Sequence, residues 1–298
     1  MSTGTDPLAP LAQLPGVPDA VAEVRKAVDR LYGHRVMRRR AAEVTSESAL
    51  RGARASAALA GADWPLEEVR RRSDFSADPE ARTVGAALRI AAEAGQLLSI
   101  WRHSPLQVLA RLHLLAVGDG DPGAGAGRPR KAGEGVEDLF PLELQPVESV
   151  SVEPVAGPLP VLPPAPGAEE VAARLDQLSR LLVARAEGQG VGTPALVVAS
   201  VVHGELLALR PFGSYNGVIA RAAQRIVLIA EGLDPKSICP AEVGLAELGT
   251  GAYRQALAGY LSGTPQGMAA WIAHCGAALR LGVRESTAVC EAMQRGMV

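Results

Sequence analysis

The sequence predicts an all-α protein. Three observations carry that prediction. Apolar residues recur at helical spacing through most of the 298 residues. The breaks between those stripes hold proline, glycine and small polar residues, the chemistry of turns. The one long stretch without helical period, 136–167, is so proline-rich that a regular strand ladder is limited there.

Bulk properties narrow the class. The hydrophobic share of 48% and charged share of 21% are those of an ordinary globule, and the length suits one or two domains. No apolar run approaches the roughly 18–20 residues of a membrane span. The start, MSTGTDPLAP, lacks the charged and apolar regions of a signal peptide. Cys239, Cys275 and Cys290 are few and widely spaced, without a metal-ligand pattern, so a reducing, cytoplasmic setting is expected. A net charge of −2 argues against a general nucleic-acid binder. The basic clusters at Arg35–Arg40 and Arg70–Arg72 read as solvated helix surface. Only three basic residues are lysines, and the Ala, Gly, Pro and Arg bias suggests a GC-rich bacterial genome.

In chain order, residues 1–18 form a proline-containing tail. A helical pattern runs from Asp19, a candidate N-cap, to Arg54, with Val21, Val24, Val28 and Leu31 on one face. Asp63 with Pro65 and Glu67 reads as the next helix start. Val84–Arg102 and Pro105–Val117 supply two more helices, joined at Ser104-Pro105. The Gly-rich loop 118–135 contains a formal GxGxxG at Gly118–Gly123. Pro122 and further glycines stand where a dinucleotide-binding helix should begin, so this match is read as accidental. Val150–Val155 and Leu159–Leu162 could form short extended segments. Glu169–Glu187 is amphipathic, with Val171, Leu175, Leu178, Leu181 and Leu182 on its apolar face. After it, Leu196–Leu209 reads as a buried helix and Val218–Ala230 as its partner, closed by Gly232 and Pro235. Pro240–Leu248, Ala252–Leu261, Pro265–Leu281 and Glu285–Met297 complete the helical pattern.

Between the central pair lies Arg210-Pro-Phe212-Gly213-Ser214-Tyr215-Asn216-Gly217. A polar, glycine-containing loop opening a helix offers backbone N–H groups and the helix dipole to an anion such as phosphate. Arg221, one turn inside, is placed to point back toward that loop. RPFGSYNGVIAR resembles the HPFx[DE]GNGRxxR loop of the Fic (Fido) family, with Pro211, Phe212, Asn216, Gly217 and Arg221 in register. The preceding VVHGELLAL is similar to the helix that leads into that loop, and Ala126-Gly127-Arg128-Pro129-Arg130 to the family's AGxxR run. The resemblance implies a Fido-type helical bundle over 100–298, with a short irregular flap or β-hairpin. Residues 1–99 would form an N-terminal helical extension. It further implies transfer of AMP from ATP to a hydroxyl of a target protein. Ser56-Ala-Ala-Leu-Ala60-Gly61 resembles the family's regulatory motif [ST]xxxE[GN], whose Glu pairs with the second loop arginine, here Arg221. Ser56 and Gly61 match it, and Ala60 replaces that Glu.

The departures weigh against chemistry. Arg210 stands where the family has its catalytic His, and a guanidinium stays protonated at any working pH. Ser214 replaces the acidic metal ligand, which disfavours Mg²⁺. Tyr215 replaces a glycine and adds bulk that could fill the loop; Val218 replaces the first arginine. Loss of a general base alone costs about 10²–10⁴ in rate. His203 lies two turns before Arg210, about 11 Å away, and with His113 and His274 reads as a core histidine. No Ser/His/Asp or metal-ligand spacing is present. Arg210 either adds charge beside Arg221, with Arg128 and Arg130 facing the same cleft, or points to solvent. No catalytic residue and no metal ligand are thereby assigned. The nucleotide- or phosphate-contacting candidates are Arg210, Phe212, Asn216, Gly217 and Arg221, and the regulatory-like ones Ser56, Ala60 and Gly61. The expectation is a pseudoenzyme that keeps a site for ATP or another nucleotide. The alternatives are a helical interaction module for a protein partner and a divergent, active AMP transferase.

Overall fold

The chain is all-α. The computed structural model describes residues 6–118, 125–148, 150, 158–188 and 192–297. Among them are α-helices and two short 3₁₀ turns, with no strand. The N-terminal helices are α1 (Val17–Tyr32), α2 (Ala41–Leu59), α3 (Leu66–Arg71) and α4 (Pro79–Glu93). The short α5 (Leu98–Trp101) precedes α6 (Pro105–Val117) and α7 (Ala168–Ala186). The central pair is α8 (Ala195–Leu209) and α9 (Asn216–Ala230). The chain then makes α10 (Ala241–Glu247), α11 (Gly249–Leu261) and α12 (Pro265–Gln294).

Local sequence explains the boundaries. Asp78 caps α4 by accepting from Ala81 N–H, ahead of Pro79 in the first turn; Thr264 and Pro265 do the same for α12. Three expectations are corrected. The pattern from Asp19 to Arg54 is two helices, because 33–40 form a turn. The first starts at Gly16, whose φ of +80° suits glycine, so Asp19 lies in the first turn. Asp63 caps nothing; its carboxylate takes Arg54 Nη2 at 2.6 Å, and α3 begins after Pro65. The last two predicted helices are one, α12, since Gly282 continues the helix. A Cβ at Gly282 would meet Pro240 O at 2.4 Å, and one at Gly244 would meet Ala278 O at 1.9 Å. These glycines let α10 and α12 cross in direct backbone contact.

Helix α8 is apolar on all sides because it is enclosed. It packs along α9, while α11 and α12 cover it from another side and α2 and α4 touch α9. Helix α1 lies on α12 and α2 on α10, so helices of 1–99 sit directly on those of 100–298. The segment 141–148 is irregular, held by Leu144 N–H on Thr250 Oγ1, Thr250 N–H on Leu144 O and Val147 N–H on Glu247 O. Most of the expected segment Val150–Val155 and of the GxGxxG stretch lies outside the described residues. No helix among the described residues is long and apolar enough to cross a membrane.

Candidate functional site at the start of the second central helix

The loop between α8 and α9 is held in a rare backbone shape. Arg210 and Tyr215 both have positive φ, +43° and +59°, a left-handed conformation that costs a side-chain-bearing residue roughly 1–2 kcal/mol. What holds it is Asn216. Its Oδ1 accepts Phe212 N–H at 2.9 Å and its Nδ2 donates to Phe212 O at 2.7 Å, closing a ring of loop backbone. Phe212 and Asn216 are buried, so this clamp is shielded from water.

The arginines divide. Arg221 is 2% exposed and donates through Nε to Ser56 Oγ at 2.9 Å and through Nη2 to Ser56 O at 2.8 Å. Its guanidinium folds back on the first turn of α9: a Cβ on Gly217 would lie 3.1 Å from Nη1. No carboxylate forms an ion pair with it among the described residues. Ser56, Gly217 and Arg221 are therefore brought together, while Ala60 ends α2 and Gly61 lies against Pro141. Arg210 follows neither expectation. Its Nη2 donates to Pro163 O at 2.7 Å, beneath the proline-rich segment, and its Nε is buried without a partner. Burial and the neighbouring charge of Arg130 lower its pKa. Arg130 does reach the loop, by Nε to Arg210 O at 2.9 Å and main-chain N–H to Pro211 O at 2.7 Å. Arg128 turns to Glu134 at 2.6 Å.

Tyr215 is not what occupies the cradle. The N–H of Asn216 donates to Glu137 Oε1 at 2.6 Å, and the same carboxylate receives the N–H of Tyr215. Glu137 N–H in turn donates to Gly213 O at 3.2 Å. A carboxylate from this chain thus sits on the donors at the positive end of α9. Burial raises its pKa, opposed by those two N–H groups and the charge of Arg221. Little in the sequence pointed to Glu137. It is 79 positions from Asn216, and its only pointer was its place seven residues after Arg130.

His113 belongs beside the loop as well as in the core. Its ring stacks on Phe212 with centroids 4.3 Å apart. Nδ1 accepts Gly127 N–H at 3.0 Å, so the proton is on Nε2, which lies 3.4 Å from Ser214 Oγ. An imidazole with its lone pair so engaged cannot take a proton from Ser214, and burial pulls its pKa down to about 4. His203 is fully buried and bonded through Nε2 to Tyr253 OH at 2.6 Å. Among the described residues no cluster of His, Cys, Asp and Glu is suited to a metal ion.

No family model matches the chain, and no curated protein matches it. Solved structures do. A Fic family protein from Desulfovibrio desulfuricans superposes with a TM-score of 0.67 at 22% identity, covering 92% of this chain and 75% of that one. A Fic domain containing signaling protein from Bacteroides thetaiotaomicron gives 0.58 at 12% identity, covering 92% and 97%. Fic-1 from C. elegans gives 0.57 at 14% identity, covering 93% and 73%.

Proposed function

With the fold of the Fic proteins as premise, we propose that this chain is a pseudoenzyme: a Fic-fold protein that keeps a phosphate-type anion cradle at the start of α9 but does not transfer AMP. The observation that carries the reading is the company around the loop. Asn216 holds the cradle's shape, and Arg221 supplies buried positive charge beside it. The group at the base position, Arg210, is tied to Pro163 O and cannot accept a proton. Ser214 offers a hydroxyl where a hard cation needs a carboxylate. His113, the imidazole beside the loop, has its lone pair committed to Gly127. Phosphates could be bound here without a group to activate the attacking hydroxyl or a charge to hold Mg²⁺.

Incubation with radiolabelled ATP, Mg²⁺ and cell lysate tests the loss of chemistry. No labelled protein is expected; a band that disappears in Asn216→Ala would revive an active transferase. Titration calorimetry with ATP and ADP tests the cradle, with binding expected to vanish in Arg221→Ala. The second reading, an interaction module, is favoured by the carboxylate already seated on the cradle and by exposed Val161, Pro163 and Pro164 in the proline-rich segment. It predicts no heat with any nucleotide, even after Glu137 is replaced.

A further inference from the structure

We propose that Glu137 is an internal plug, so that the loop accepts an external phosphate-type anion only when the segment carrying Glu137 moves away. The proposal rests on the cradle reading above and adds the element that regulates it. Its first ground is position. The Glu137 carboxylate takes the N–H groups of Tyr215 and Asn216, the donors a phosphate at this helix start would use. Two anions cannot share them.

The second ground is charge. Arg221 is a guanidinium buried to 2% exposure, whose hydrogen bonds go to neutral groups: the hydroxyl and carbonyl of Ser56 and the hydroxyl of Tyr253. Such a charge inside a protein is costly unless an anion is near. Glu137 feels the attraction of Arg221, while Asp138 beside it is repulsive. The plug therefore supplies the negative charge that a ligand would otherwise bring.

The third ground is the way the segment is strung. At one end Arg130 is buried and fastened to the carbonyls of Arg210 and Pro211. At the other, Leu139 is in the core. Between them 131–135 are exposed, and Glu134 is tied on the Arg130 side of the span, by Lys131 N–H at 2.7 Å and by Arg128 at 2.6 and 2.9 Å. Glu137's own hold on the loop is its carboxylate contacts and one main-chain bond to Gly213 O. A short exposed span between fixed ends can swing without unfolding a helix. Desolvation of the carboxylate works against the closed state and keeps it displaceable.

The test uses the full chain with sodium phosphate and with ATP as separate probes. Calorimetry compares the natural sequence with Glu137→Gln, which keeps the shape and removes the charge, and with Glu137→Ala. At least tenfold tighter binding of either probe in both variants is expected, and its loss in Glu137→Gln combined with Arg221→Met. Gain with phosphate alone, or with ATP alone, tells which source the cradle fits. Equal, measurable binding by the natural sequence and the variants overturns the plug and leaves the cradle reading standing. Absence of binding in every protein overturns both. Hydrogen exchange covers the case in which a variant does not fold. In the natural sequence, saturating phosphate should speed exchange across 131–138; phosphate that binds without changing it overturns the plug.

Discussion

Two arginines one turn apart on α9 live in opposite circumstances. Arg225 meets Glu242 in a two-pronged pair, Nε to Oε1 at 3.0 Å and Nη2 to Oε2 at 2.8 Å, with both side chains 7% exposed. Its Nη1 adds Ser237 Oγ at 3.0 Å, so its charge and donors are answered within the fold. Arg221, also buried, has a hydroxyl and a carbonyl from Ser56, the hydroxyl of Tyr253 and the pull of Glu137. One helix thus carries a finished structural ion pair and, four residues earlier, a charge left open toward a loop. Protein interiors tolerate the first kind readily once the geometry is complete.

The comparison can be broken most directly at the finished pair. Glu242→Gln should strand the Arg225 charge and cost about 3–5 kcal/mol of unfolding free energy by urea titration. A loss under about 1 kcal/mol would mean that the Arg225 end is no more structural than the Arg221 end.

The acid limb of stability sharpens it next. His203 is held neutral by burial first, then by the charges of Arg221 and His274. Burial takes His274 down to about 4. Both groups are shifted below the ordinary histidine pKa near 6.5, so the unfolded chain binds these protons first. Stability is then full above about pH 6.5 and falls as pH drops toward 4, by up to about 1.4 kcal/mol per histidine per pH unit. Thermal melts across that range should show the slope, and His274→Phe should flatten it. An unchanged slope would place the titrating groups elsewhere.

What the sequence made legible follows how local each feature is. The central helix pair, its loop, and the clamp residues Asn216, Gly217 and Arg221 lie within one short stretch, where period and turn chemistry speak for themselves. Ser56 was reachable through the motif at 56–61. Where the reading failed, backbone was the reason. The two stretches expected as Pro265–Leu281 and Glu285–Met297 are one helix, in which Gly282 passes against Pro240 O. Arg210 was weighed as cleft charge or solvent charge, and its partner is a main-chain carbonyl at Pro163. Glu137 is held by main-chain N–H groups, which leave no side-chain signature in a sequence.

Arg221→Met is expected to have a modest effect. It removes the hydrogen bonds to Ser56 and Tyr253 but also a buried charge, terms of opposite sign, so stability should change by less than about 1.5 kcal/mol. A loss matching that of Glu242→Gln would show that Arg221 is as structural as Arg225 and would remove the contrast.

The smallest expected effect is the most instructive about the loop. Arg210→His places an imidazole where the resemblance expects a base, yet labelled AMP transfer should stay at background. Under the proposed reading the new side chain would still find Ser214 in place of a metal carboxylate and Glu137 on the donors proposed for phosphate. It would also inherit a backbone at φ +43°, a left-handed conformation that is strained for a residue with a side chain. Transfer appearing in that single variant would mean that the missing base alone separates this loop from an active one, and that Glu137 yields to ATP unaided.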